Sequence, residues 1–434
     1  MIFLQIHVVS SGETLFSISR AYGVAPGFLA RCNGLTEPYR LAVGQSLLVL
    51  TPTATAVVEP GDTLDSIARQ SGLSLRALLR LNPNLAGQTA LFPGQVLITA
   101  TDDAPSTPAS LFGYAYPYVD RSVLAGILPY AGALMPFTYG FTAAGELVDL
   151  DDAALLTLAR AYRVRPILHL STLTEDGTFS AARAAAVLND PAAQDALIAN
   201  VIAQVKSRGY EGVDADFEYL GAALAPHYAA FLRNLRAALL PLGYPLLAAL
   251  APKTSRTQPG PLYESHDYAA IAQSVDFVLL MTYEWGYTYG PPQAVAPLPS
   301  VRKVLNFALS EIPNDQIFLG FPNYGYDWPL PYVAGQTRAE SIGNDAAVQR
   351  AVAVGATIQF DEISQSPYFH YTDNLGVIHE VWFEDVRSSL AKFSLLPEYA
   401  LRGLGYWNFM RPFTANFALL NAMFRLSGQT LLTA

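Results

Sequence analysis

A single cysteine in 434 residues, Cys32, excludes a disulfide framework within the chain. Charge is scarce as well: Asp, Glu, Lys and Arg make up 14% of the sequence, with only four lysines, against 51% apolar residues. That balance excludes intrinsic disorder, and the length allows two or three domains with self-supporting cores. No apolar run approaches the ~20 residues that span a bilayer, because Arg, Asp or Gln interrupts each one. The Met1–His7 stretch lacks a basic leader region and a small-residue cleavage site, so it reads as a strand and no signal peptide is expected. The net charge of −10 is unevenly spread. Residues 1–100 hold six of the 26 basic and five of the 36 acidic residues, leaving 20 against 31 in the remainder. An acidic body argues against nucleic acid and anionic membranes as partners. The six histidines show no paired ligand spacing, so no metal is expected and neutral structural roles are predicted for them. With no Gly-rich phosphate loop and no Gly-x-Ser-x-Gly elbow, no cofactor is expected either.

What is present begins with a repeat. His7-Val-Val-Ser-Ser-Gly-Glu-Thr-Leu-Phe-Ser-Ile-Ser19 recurs as Ala56-Val-Val-Glu-Pro-Gly-Asp-Thr-Leu-Asp-Ser-Ile-Ala68, and each copy runs on to a Gly-Gln pair, Gly44-Gln45 and Gly94-Gln95. Such a period must be settled before any fold is named. Each unit reads strand, helix, helix, strand, with Thr14 and Thr63 placed to cap the first helix. The turns Gly12-Glu13-Thr14-Leu15 and Gly61-Asp62-Thr63-Leu64, with Asn33 and Asn82 later, resemble LysM domains. The resemblance implies two βααβ modules, over 1–50 and 56–100, that bind glycans containing N-acetylglucosamine through these ten residues. Thr51-Pro-Thr-Ala-Thr55 and residues 101–110, rich in Pro, Thr and Ser, read as linkers.

Residues 111–434 alternate short apolar runs with helical stripes, the pattern of a parallel sheet. Strands are expected near Leu111, Ala133, Arg165, Gly212, Pro245, Asp276, Ile317 and Gly403, and helical stripes at Leu197/Val201/Val205 and Tyr228/Phe231/Leu232/Leu235/Leu239. Eight strand–helix units give an α/β chain folded as a (β/α)₈ TIM barrel. The stretch from about 327 to 396 is too long for a connection and reads as a small α+β insertion, with strands at Gln359-Phe-Asp-Glu and Val377-Ile-His-Glu-Val-Trp-Phe.

The sharpest chemical pattern is Gly209-Tyr-Glu-Gly-Val-Asp-Ala-Asp-Phe-Glu-Tyr219. Asp214, Asp216 and Glu218 stand at i, i+2 and i+4, so a strand turns them to one face while Val213, Ala215, Phe217 and Tyr219 face the other way. Lining up three carboxylates inside a barrel is costly, and such a row marks a functional site. Carboxylates on one strand cannot flank a glycosidic bond from both sides. The nucleophile therefore comes from another strand or from the substrate, and a 2-acetamido sugar carries its own carbonyl oxygen.

Glu211-Gly-Val-Asp-Ala-Asp-Phe-Glu218 resembles the Asp-Gly-x-Asp-x-Asp-x-Glu signature of glycoside hydrolase family 18, with Glu211 in place of the first Asp. The resemblance implies Glu218 as general acid/base, Asp216 as the residue that orients the acetamido group and stabilises an oxazolinium intermediate, and Asp214 as its proton-sharing partner. Phe277-Val-Leu-Leu-Met-Thr-Tyr-Glu-Trp285 resembles the sixth strand of that family, implying substrate roles for Met281, Tyr283 and Glu284. Leu404-Gly-Tyr-Trp-Asn408 resembles its eighth strand, with Trp407 under the sugar. Tyr114, Phe137, Tyr139, Asn323 and Tyr324, at expected strand ends, are further cleft candidates. Residues 317–331 and 365–384, with the paired LysM units, resemble the bacterial subgroup related to spore cortical-fragment lytic enzymes. The resemblance thus implies a retaining, substrate-assisted β-N-acetylglucosaminidase of peptidoglycan, associated with the spore coat and cortex or the cell wall. A chitinase and a non-catalytic glycan-binding wall protein are the alternatives.

Overall fold

The computed structural model describes residues 4–87, 90–103, 105–174 and 178–426. Met1–Phe3 of the expected first strand and Ala104 of the expected linker lie outside them. Eight parallel staves form the barrel: Pro108–Ala115, Ala133–Pro136, Arg165–Pro166 continuing as Leu168–Ser171, Val213–Asp216, Leu246–Leu250, Phe277–Leu280, Ile317–Pro322 and Gly403–Trp407. The third stave closes the ring, since Arg165 pairs with Ala133 on one side and Leu168 with Val213 on the other. Phe112, Met135, Ile167, Leu247, Phe277, Leu279 and Phe318 fill the interior, so the barrel is a packed core with its working surface at the C-terminal ends of the staves.

The helices form where their stripes and caps direct. Asp190 accepts a hydrogen bond from the Ala192 N–H (2.9 Å), Pro191 opens the helix Pro191–Arg208, and Gly209 ends it at φ 67°. Leu197, Val201 and Val205 on that helix are fully buried against the staves, as are Tyr228, Phe231, Leu232, Leu235 and Leu239 on Ala225–Leu239.

The two N-terminal units repeat one design. In the first, Gln5–Val8 pairs antiparallel with Ser46–Val49 around helices Leu15–Tyr22 and Pro26–Cys32. In the second, Pro52–Val57 pairs with Val96–Thr101 around Leu64–Gln70 and Leu75–Leu81. Thr14 and Thr63 cap as expected, each in a reciprocal box with the serine three residues on. The first expected linker is largely strand, absorbed into Pro52–Val57, and the second is strand at its two ends, where Thr101 closes one strand and Pro108–Ser110 opens the first stave.

The units are docked rather than strung out. Arg76 donates to the carbonyls of Pro129 (3.1 Å), Leu128 and Ala131, and Arg80 to Pro129 (3.2 Å) and Asn421 (2.7 Å). The Ile358 N–H donates to the Val43 carbonyl (2.8 Å), and Phe28, Cys32, Leu48, Leu50 and Ile98 join the apolar core of the barrel itself.

The insertion is a five-stranded antiparallel sheet in the order Glu340–Ile342, Gly325–Pro329, Ile378–Trp382, Ser366–Thr372, Gln359–Asp361, backed by the helix Asn344–Val354. Its first strand follows the seventh stave almost directly. The helices Val386–Phe393 and Leu395–Tyr399 bury Val386, Phe393, Leu395 and Leu396 in the barrel core, so these residues belong to the barrel's helical layer rather than to the insertion expected to end at 396.

Candidate active site

The acidic row is where the sequence places it. Asp214 (fully buried) and Asp216 (6% exposed) lie on the fourth stave, and Glu218 follows just past its end. The opposite face packs outward: Phe217 stacks on Tyr228 (5.2 Å between centroids), Phe231 and Phe141. The alternation stops there. Tyr219 adopts φ 57° and is exposed, because the chain has left the sheet. Glu211 sits before the stave and pairs with Arg165 (3.3 Å), at the opposite end from the acids' mouth.

Each acid has a distinct environment. Asp214 Oδ2 accepts the Tyr114 hydroxyl (2.9 Å) and lies 2.8 Å from His169 Nδ1. His169 Nε2 is 3.8 Å from Asp216 Oδ2. Burial raises Asp216 well above the usual carboxylate range, with the neighbouring Glu218 adding to this and His169 opposing it. Burial also pushes the Glu218 carboxyl up to about 7. A carboxylic acid that keeps its proton near neutral pH has the property a general acid needs. The Tyr283 phenol, at 8% exposure, is raised well above its ordinary range by burial and by Asp216 and Glu218, so it remains a donor.

Aromatic rings make the floor. Trp407 packs on Tyr114 (5.5 Å), Phe137 (4.9 Å, edge-on) and Tyr116 (6.2 Å), and Phe137 in turn stacks on His169 (4.8 Å, 24°). Met281, partly buried, packs against the cluster that holds Tyr283, Tyr324 and Tyr326, as Trp407 does. Glu284 adopts φ 68°, and its carboxylate accepts the hydroxyls of Tyr324 and Tyr326 (3.0 Å). Tyr324 is thus brought to the site. Two candidates are not. Tyr139 is buried on the outer side of the barrel, its hydroxyl donating to Asp152 Oδ2 (2.6 Å) and accepting from Gln204 (3.0 Å). Asn323 is fully buried and donates to the carbonyls of Asn408 (2.9 Å) and Arg411 (2.8 Å); it braces the loop after Trp407.

In the modules, most of the ten expected glycan contacts have internal duties. Asn33 bridges Leu29 O, Leu48 O and Leu48 N–H, and Asn82 does the same for Leu78 and Ile98. Gly12 and Gly61, at φ 83° and 92°, make the turns, and Glu13 and Asp62 accept the backbone N–H groups of Ser10 and Glu59 within them. Leu15 is core and Leu64 packs beside one. In the first module Thr14 and Leu15 also edge an open groove with Phe16 (67% exposed), Glu37, Pro38 and Tyr39.

The sequence reading missed His169, Tyr326 and the groove residues Phe16 and Tyr39. A signal for His169 existed: Leu168-His-Leu-Ser171 alternates apolar and polar residues in a strand buried on both faces, which aims polar side chains inward.

Residues 176–411, which contain the acidic row, Tyr283 and Trp407, match Glycosyl hydrolases family 18. The chain belongs to this family. Residues 7–49 and 56–99 of this family 18 chain match the LysM domain. It is 36% identical to the cortical fragment-lytic enzyme of Bacillus anthracis over 428 residues, covering 98% of this chain and 99% of that one. Identity to the cortical fragment-lytic enzyme of Bacillus subtilis (strain 168) is also 36%, over 98% of this chain and all of the relative. The crystal structure of the Bacillus megaterium spore cortex-lytic enzyme SleL superposes with a TM-score of 0.83 at 34% identity, covering 99% of this chain and 100% of that one. The protein is accordingly a family 18 glycoside hydrolase with two LysM modules on a TIM barrel. Among the described residues, no helix is long and apolar enough to cross a membrane.

Proposed function

We propose that the protein cleaves the β-glycosidic bond of N-acetylglucosamine in peptidoglycan fragments of the spore cortex, with retention of configuration. The observation that carries this reading is the pair Asp216–Glu218: one buried acid poised near neutral pH just past the end of the fourth stave, beside another raised carboxyl on it. Both approach the sugar from one side, which leaves the nucleophile to another stave or to the substrate; membership of family 18 favours the substrate's own 2-acetamido oxygen. Glu218 protonates the departing oxygen and then draws the proton from the incoming water. Asp216 orients the acetamido N–H and offsets the charge of the oxazolinium. Tyr283 donates to the acetamido oxygen, Trp407 packs under the apolar face of the ring, and Glu284, clasped by two tyrosines, accepts from a sugar hydroxyl or amide. Full-length similarity to cortical fragment-lytic enzymes supports the cortex as substrate and the spore as location.

The test is parallel digestion of purified spore cortex, vegetative peptidoglycan and chitin, with mass analysis of the products and proton NMR of the first-formed anomer. β-N-acetylglucosamine ends released from cortex are expected. An initial α-anomer contradicts the acetamido nucleophile, and a preference for chitin contradicts the substrate. Glu218→Gln keeps the fold but loses roughly 10²–10⁴-fold in turnover, because an amide transfers no proton.

A further inference from the structure

His169 is 1% exposed and stands in register beside Asp214 on the neighbouring stave, as Ser171 stands beside Asp216. Its ring is fixed, stacked on Phe137 (4.8 Å) and edge-on to Tyr114 (5.1 Å). One ring nitrogen meets Asp214 at 2.8 Å; the other faces Asp216 at 3.8 Å and has no other partner among the described residues. The first is a hydrogen bond and the second an ion-pair distance, and a neutral imidazole has one proton for the two sides. On the Asp214 side, the same carboxylate oxygen also accepts the Tyr114 hydroxyl, so it acts as an acceptor and the imidazole as a donor. On the Asp216 side, a bare ring nitrogen would put its lone pair against Asp216 whenever that acid is ionised, as it must be to accept the acetamido N–H of a substrate. A ring bearing both protons satisfies the two contacts and leaves both acids as acceptors.

We propose that His169 is a positioning residue that holds, as an imidazolium behind Asp216, the proton that the two aspartates would otherwise share. The trio then carries one net negative charge with the proton on the ring, away from the face that meets substrate. Asp216 therefore receives the acetamido N–H as a carboxylate. The other ionisable groups around the ring are Tyr114 on the first stave, Asp214, Asp216 and Glu218 on and after the fourth, and Tyr283 after the sixth; Phe137 from the second is apolar. None of them supplies a second cation. This role rests on the hydrolytic reading of the site, but the protonation of the ring does not.

Two measurements test it on the full-length protein. Nitrogen-15 NMR of the histidine rings, assigned by comparison with His169→Asn, is expected to show both nitrogens of His169 protonated from pH 6 to 7.5, and one proton lost in Asp216→Asn. A neutral His169 in the wild type overturns the proposal whatever the enzyme hydrolyses. His169→Asn keeps a donor for Asp214 but carries no charge. Its acidic limb of kcat/KM on soluble cortex fragments is expected to move up by about 1 pH unit or more, since a cation within 4–6 Å favours a carboxylate by roughly 1–3 units. A profile that only drops in height, without moving, also overturns it. Should His169→Asn fail to fold, assignment by His169→Gln leaves the wild-type spectrum decisive. Failure of the hydrolytic reading itself shows as absent turnover on every N-acetylglucosamine glycan while the ring signal stays intact.

Discussion

Glu218 is held in a state the fold would rather avoid. Burial raises its pKa from 4.5 to about 7 on folding, so the native chain binds more protons than the unfolded one between those values. The proton-linked contribution is present below about pH 4.5 and is lost as pH rises through about 7. Glu218→Gln removes the penalty that remains above that window. The variant is therefore expected to be more stable than wild type at pH 8, by about 1–3 kcal/mol, with the gap closing near pH 5; denaturant unfolding at both pH values measures it. Tyr283→Phe is expected to cost roughly 1.5–3 kcal/mol in kcat/KM, the worth of a hydrogen bond to a charged group, measured on soluble fragments. The acids were legible because a two-residue period fixes which side chains share a face. Tyr139 was misread because the second stave ends at Pro136, and beyond a strand's end the period no longer assigns a face. Tyr219 departs from its expected face for the same reason. His169 was passed over because a lone histidine carries no spacing, and only the closed ring of staves brings it against Asp214.

Among the elements, the barrel staves were readable from their apolar runs, and the repeated caps located the short helices. The insertion was readable only in part. Gly325–Pro329 follows the seventh stave after two residues and merges with it in the sequence, while Glu340–Ile342 is too short to show a period. Asn33 and Asn82 look like ligand contacts in sequence because they recur. The structure shows the recurrence to be mechanical, each side chain tying a helix end to a strand. Asn33→Ala leaves buried backbone groups of Leu29 and Leu48 unpaired and is expected to cost about 3 kcal/mol, visible in urea unfolding of the whole chain. The helix Val386–Phe393 hides another such dependence. Lys392 and Glu384 form a buried pair at 2.8 Å. Lys392→Met strands the carboxylate and is expected to destabilise by about 3–5 kcal/mol, much of it recovered in Lys392→Met/Glu384→Leu; unfolding midpoints of the two variants decide this.

At the scale of the whole molecule, composition and repeats correctly set out modules ahead of a barrel, but not how tightly they join. Burial across a domain boundary leaves no period in the sequence, and Leu48 or Ile98 looks the same whether it faces its own module or the barrel. Gly44 shows how close the fit is: at φ 82°, a Cβ there would lie 1.8 Å from the Ile358 carbonyl oxygen. Glycan capture is best tested without deleting the modules, since deletion would bare the barrel core. Phe16→Ala/Tyr39→Ala is expected to weaken retention on insoluble cortex by roughly 5–150-fold, from two aromatic contacts of ~0.5–1.5 kcal/mol each. Turnover of small soluble fragments should stay unchanged, as pull-down and rate measurements on the two substrates will show.

The docking of the modules also bears on inheritance. Arg76 and Arg80 end on barrel carbonyls, and Phe28, Leu48 and Leu50 complete a core that is not wholly their own. Beads on a flexible string can be shuffled between genes and still work. These two are less free: a graft onto another enzyme would arrive with an apolar flank and uncover its counterpart on the barrel, so exchange of modules and barrel as one block is favoured over exchange of either alone.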